Sequence, residues 1–209
     1  MANTNSELAT YKKLTKNKTA QTKKTVNKII IHHMAAKWTA KQCVDYFYAT
    51  DKQVSSNYCV GYEGSIGLSV NEKDRAWSTG SDKVDRDAIT IEVGNSNTSN
   101  WAVDDKAINS LIKLLIDICK RNGIEKLTKG KNLYGHRDFA ATICPGDYLY
   151  NRLDYIAGEV NKQLSSKTIY RVKVVEKQVG AFGEKSNAES LKTKLETLGC
   201  EVKIETVKT

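Results

Sequence analysis

The run Lys28-Ile29-Ile30-Ile31-His32-His33 limits the fold before any other segment does. Three consecutive isoleucines leave neither face of a strand polar. Such a strand belongs inside a sheet covered by helices, so 28–33 is expected as a buried central strand. Ala88-Ile89-Thr90-Ile91-Glu92-Val93, closed by Gly94-Asn95, reads as a second one. Thr39 is placed to cap a helix over about 40–50, with Cys43, Val44 and Phe47 on one face. Residues 104–122 form the clearest helix, with Ile108, Leu111, Leu115, Ile118 and Cys119 at helical spacing and Gly123 to stop it. Pro145 opens a last helix over about 146–164, whose apolar stripe is Leu149, Leu153, Ile156, Val160 and Leu164. Short strands around Gly61, Gly64 and Gly67 suit a hairpin within 55–69. The expected fold class is α/β, a mixed central sheet flanked by helices.

Charge divides the chain differently. The net charge is +9 over 209 residues. Residues 1–28 hold seven lysines against one glutamate, and residues 166–209 hold nine Lys/Arg against six Asp/Glu, so the middle is balanced. Residues 1–26 therefore read as a basic lead-in that wraps the following domain or is partly mobile. Such an arm suits an anionic polymer such as the bacterial wall. It lacks interleaved aromatics or a nucleic-acid module, so no nucleic-acid partner is expected. No stretch is apolar enough for membrane insertion, and Met1–Glu7 contains no hydrophobic signal core. The expectation is synthesis in the bacterial cytoplasm without a signal peptide, with action on the wall after release. The five cysteines are odd in number and scattered, which is not a disulfide framework.

Ser165-Ser166-Lys167 reads as a linker. Beyond it, 169–175 alternates like a strand, 187–198 has helical spacing and 200–207 alternates again. The reading is one small β-α-β unit over 168–209, after a domain over 27–164.

Gly135-His136-Arg137-Asp138-Phe139-Ala140-Ala141-Thr142-Ile143-Cys144-Pro145-Gly146 carries the chemistry. It holds one of only three histidines, and a cysteine eight positions later. A strand-end histidine plus this His…Cys pair is a minimal three-ligand set for zinc. Three protein ligands leave the fourth position open, as catalytic zinc requires. Successive strand side chains point to opposite faces, so only one of His32 and His33 reaches a common ion.

The segments Ile30-Ile31-His32-His33, Ser56-Asn57-Tyr58, Ile89-Thr90-Ile91-Glu92-Val93 and Gly135-His136-Arg137-Asp138…Thr142-Ile143-Cys144-Pro145-Gly146 occur in one order over about residues 27–164. Together they resemble the zinc N-acetylmuramoyl-L-alanine amidases, whose fold is shared with peptidoglycan recognition proteins. The resemblance implies cleavage of the amide between N-acetylmuramic acid and L-alanine, with Zn2+ as cofactor and peptidoglycan as partner. It assigns zinc to His32, His136 and Cys144. It makes Glu92 the general base, a carboxylate whose pKa burial in an apolar strand raises. It makes Tyr58 an active-site tyrosine that holds the water or the oxyanion.

Some members of that family carry a lysine two positions before the cysteine ligand. This chain has Thr142 there, which brings a hydrogen-bonding hydroxyl but no charge. Arg75-Ala76-Trp77-Ser78 and Asn95-Ser96-Asn97 are similar to groove-lining stretches of clostridial-type phage and prophage amidases, which offers Trp77 and Asn95 as substrate contacts. Tyr62 and Trp101 are further candidates for stacking on glycan or peptide. The C-terminal segments Tyr170-Arg171-Val172-Lys173-Val174 and Gly180-Ala181-Phe182 resemble half of a sporulation-related (SPOR-like) repeat, which binds glycan strands. A half repeat implies two chains pairing as a homodimer. The best-fitting expectation is a phage or prophage endolysin. The alternatives are a non-catalytic peptidoglycan-binding protein on the same fold, and a hydrolase with Cys144 as nucleophile and His136 as base.

Overall fold

The computed structural model describes residues 5–20, 25–165, 168–174 and 177–208. Two compact units divide the chain, Met1–Leu164 and Ser165–Thr209.

The first unit is built on a six-stranded mixed sheet. Its strands are β1 (Tyr11–Lys12), β3 (Lys28–His33), β4 (Tyr58–Val60), β5 (Ile66–Leu68), β7 (Ala88–Val93) and β8 (Leu133–Gly135), in the order β1-β5-β4-β7-β3-β8. β4 and β5 form the expected hairpin, antiparallel, while β4–β7, β7–β3 and β3–β8 are parallel. A separate short pair joins β2 (Lys18–Thr19) to β6 (Arg75–Ala76). The isoleucines of β3 are fully buried, as the run required.

Alternation sorts the sheet into two faces. Ile29, Ile31, Ile89, Ile91, Val93, Tyr58 and Val60 join one core with α3 (Asp105–Asn122) and α5 (Leu153–Ser165). Cys59 packs instead with α1 (Ala40–Ala49), against Ala40, Cys43, Val44 and Phe47. α1 opens with a full capping box between Thr39 and Gln42. α3 ends on Gly123 in the left-handed region, φ 67°. A single turn, α2 (Asp82–Asp85), precedes β7.

Three features qualify the expectations. The last helix of the unit is two pieces, α4 (Asp147–Tyr150) and α5, with a turn at Asn151-Arg152 that directs both Leu149 and Leu153 into the core. The N-terminal arm is part of the fold: β1 adds an edge strand beside β5, and Thr15 and Asn17 bond to the carbonyls of Phe47, Thr50 and Lys52. Its lysines are also less available to an anionic polymer than their number implied. Lys13, Lys16 and Lys18 pair with Asp45, Asp51 and Asp74, and Asp74 is buried.

The second unit has β9 (Thr168–Val174), β10 (Lys177–Phe182), α6 (Lys185–Thr197) and β11 (Val202–Lys208). Its antiparallel sheet runs β10-β9-β11. The arrangement is β-β-α-β; the hairpin strand β10 was missed because Val179-Gly180-Ala181 has little apolar alternation and contains a register shift. Among its described residues, Val172, Ala188 and Val202 form the buried core. The expected linker residues Ser166-Lys167 lie outside the described residues.

Candidate metal centre

The register of β3 on β7 sets His32 directly beside Glu92, and the register of β7 on β4 sets Glu92 beside Cys59. Residues paired in this way point to the same face, here the face covered by α1. His136 begins a single 3-10 turn, His136–Asp138, immediately after β8, so its position follows from the β3–β8 pairing. Cys144 is carried on the loop after that turn. The N–H of Arg137 donates to the Cys144 carbonyl at 2.9 Å, and the guanidinium of Arg137 bonds to Asp147 and to the Ile143 carbonyl. The N–H of Cys144 donates to Thr142 Oγ1 at 3.2 Å.

The result is a cluster of His32, His136 and Cys144 whose ligand atoms all lie within 4.8 Å of one another. The His32 and His136 rings are 4.5 Å apart, and Cys144 Sγ is 3.7 Å from His32 Nδ1. His32 Nε2 is enclosed without a hydrogen-bond partner among the described residues, an orphaned state that buried polar atoms normally avoid. Burial, then the neighbouring His136 and His33, push the His32 imidazole well below its usual pKa, so it is neutral. Burial also lowers His136. Burial and then Glu92 push the Cys144 thiol up to about 12. Two neutral imidazoles and one cysteine converging on a common point fit a zinc ion with an open fourth position, and a bound cation would hold the sulfur as thiolate. Without a cation the thiol stays protonated, which is opposite to what the cysteine-nucleophile alternative needs.

Glu92 belongs to this face. Its Oε2 is enclosed without a partner among the described residues, and burial pushes the carboxyl up to about 8. It lines a cleft of about 210 Å³ with His33, Trp38, Tyr46, Phe47 and Val54. Thr142 lines a separate pocket of about 310 Å³ with Trp101, Arg137 and Ile143.

Tyr58 is not brought to the cluster. One residue before Cys59, it points to the α3 face, is fully buried, and donates its hydroxyl to Glu72 at 2.5 Å while accepting from the N–H of Ser6. The tyrosine lies in the right strand on the wrong face for contact with zinc ligands. Asn95 is likewise buried; its Nδ2 donates to the Trp101 carbonyl at 2.9 Å, which holds Trp101 at φ 55°. It is a support for the 96–101 loop more than a contact surface. Trp77 lines a cavity of about 340 Å³ with Gln53, Arg75 and Asp85, its indole N–H donating to Thr19. Tyr62 lies under Lys37 Nζ at 5.0 Å. Asp85 was not singled out by sequence. It sits in an Asp82-Lys83-Val84-Asp85-Arg86-Asp87 run that reads as solvated surface, and it is buried.

The model of the N-acetylmuramoyl-L-alanine amidase family matches residues 22–147, and the chain belongs to that family. Peptidoglycan-recognition protein SC1a of Drosophila melanogaster is 26% identical over 137 residues, covering 59% of this chain and 70% of that protein. The solution structure of the PlyG catalytic domain superposes with a TM-score of 0.62 at 19% identity, over 74% of this chain and 94% of that one. A mutant endolysin from Bacillus subtilis gives 0.60 at 19% identity, over 72% and 97%. At such identities the structural matches establish the fold.

Proposed function

We propose that this chain is a zinc-dependent N-acetylmuramoyl-L-alanine amidase acting on peptidoglycan. The observation that carries the reading is the convergence of His32, His136 and Cys144 beside a carboxylate whose buried oxygen has no partner among the described residues. Family membership and similarity to proteins named for peptidoglycan recognition support the substrate.

His32, His136 and Cys144 hold the ion. Zinc, when bound, lowers the pKa of a coordinated water and polarises the scissile carbonyl. Glu92 takes a proton from the attacking water and returns it to the leaving L-alanine amine. A carboxyl pushed up toward neutral pH is matched to both steps. The Thr142 hydroxyl accepts from the Cys144 N–H and steadies the ligand loop. No lysine stands at that position, so Thr142 brings no charge for the oxyanion, which a cation held by His32, His136 and Cys144 would supply. Trp77 walls the cavity on the α2 side and contacts substrate there.

The test measures new amino termini released from purified cell walls, with a chelator and then with zinc restored. Release that is lost and regained supports the amidase. Walls bound but not cut would favour a binding protein on this fold. Release that survives chelation and stops with a thiol reagent would favour Cys144 as nucleophile.

We also propose an endolysin role, phage or prophage, a reading that the fold's similarity to a mutant endolysin from Bacillus subtilis supports. It includes synthesis in the bacterial cytoplasm and action on the wall after release. External addition to cells with and without a permeabilised membrane tests that route.

The second unit is proposed as a SPOR-like wall-binding half that pairs with a second copy. Among its described residues three buried side chains make a small core for an independent fold, and Leu198 and Val179 are exposed. A monomer in light scattering at working concentration would count against the pairing.

A further inference from the structure

The turn at residues 78–80 joins a buried carboxylate to one of the cluster histidines. Asp85 is the last residue of α2 and is 1% exposed. It accepts from the Ser78 N–H at 3.0 Å, from the Thr79 N–H at 3.2 Å and from the Thr79 hydroxyl at 2.9 Å. No lysine or arginine pairs with it among the described residues. A carboxylate this deep is costly unless donors surround it, and here all three come from two consecutive residues. Gly80, at φ 74°, lets the chain turn sharply as it leaves. With the Ser78–Thr79 peptide clamped, the Thr79 backbone faces the His136 imidazole within hydrogen-bonding reach, and the Asp85 charge lies close enough to act on the ring.

A neutral imidazole that binds a metal through one nitrogen carries its proton on the other. The partner of that second nitrogen fixes both the tautomer and the plane of the ring. We propose that Asp85 is the positioning residue for His136: it clamps the turn so that the Thr79 carbonyl receives the proton-bearing nitrogen, and the other nitrogen is aimed at the ion shared with His32 and Cys144. The proposal rests on the zinc reading above. It gives a role to the one aspartate of the 82–87 run that the fold buries, while Asp82 on the same turn stays 70% exposed in its side chain.

A carboxylate that merely stabilised the turn would change stability without changing how the metal is held. The experiment therefore reads the metal itself. Metal-free full-length protein, parent and Asp85→Asn, is titrated with Co2+ and its visible absorption recorded. Zinc affinity is measured by competition with a chromophoric chelator, and thermal unfolding is followed without metal. Asp85→Asn is expected to fold, to bind zinc about 10- to 100-fold more weakly, and to alter the cobalt ligand-field bands. A folded Asp85→Asn with the parent's zinc affinity and cobalt spectrum overturns the proposal. Should Asp85→Asn fail to fold, Thr79→Val decides, because it removes one bond to Asp85 and keeps the carbonyl. Weaker zinc binding by that variant supports the role, and parent-like binding overturns it. A parent that takes up neither metal overturns the zinc reading itself, an outcome separate from variants that match a zinc-binding parent.

Discussion

The hydroxyl of Tyr58 donates to the carboxylate of Glu72 at 2.5 Å, and Arg121 donates to both oxygens of the same carboxylate at 2.6 and 2.9 Å. Glu72 is fully buried, and the N–H of Ser6 completes the group by donating to Tyr58. The network ties the N-terminal arm, the loop after β5 and the end of α3 together. Tyr58→Phe is expected to cost about 1–3 kcal/mol of stability, the range for leaving a buried acceptor short of one donor. Its turnover is expected to stay at the parent's level. Chemical denaturation and wall hydrolysis on the same preparation check both; a large loss of turnover in a stable variant would return Tyr58 to the reaction.

Glu92→Gln keeps the shape of the side chain and removes the base. Turnover is expected to fall about 10²- to 10⁴-fold, the usual contribution of a general base. Zinc content, measured by elemental analysis, is expected to be unchanged. Near-normal turnover would remove Glu92 from the mechanism.

Glu92 also sets a pH dependence in the zinc-free protein. Its folded pKa is raised to about 8 from an ordinary 4.5. The folded state therefore holds a proton that the unfolded chain has released. The stability this proton confers is complete below 4.5 and is lost as pH rises to about 8, by roughly 1.4 kcal/mol per unit at most. Glu92→Gln does not titrate there. Its melting temperature relative to the parent, both stripped of metal, is expected to climb through that window. A constant difference would sink the assignment.

Asn95→Ala removes the donor that holds the Trp101 carbonyl. The expected loss is about 1–3 kcal/mol, together with faster protease cleavage within the exposed residues 97–100. Unchanged cleavage would mean that Trp101 holds its left-handed conformation by other contacts.

Donor chemistry was legible in the chain. His136, Cys144 and the pair His32-His33 stand out because histidines are few and the cysteine is set close behind one of them; the family resemblance, not the spacing, picked His32 from the pair. Glu92 stands out as a charge inside an apolar strand. The long helices 40–49 and 105–122 carry strong periodicity and clear caps, so their limits were readable to within a residue or so. The short strands β1, β2, β6 and β10 were not, since two to six residues carry too little pattern and exist only through their partners.

What the sequence by itself determined was local: which of the longer segments are strands and helices, and which side chains are chemically equipped to bind a metal or move a proton. Tertiary structure decided which of them meet. Side chains alternate along a strand, so a single position separates the Glu92 face from the Tyr58 face, and only the pairing Cys59↔Glu92↔His32 tells them apart. The same holds for Asp85, whose burial depends on a turn folding over it, and for the N-terminal lysines, whose partners lie more than thirty positions away. Register and long-range pairing are properties of the packed chain, and no window of the sequence contains them.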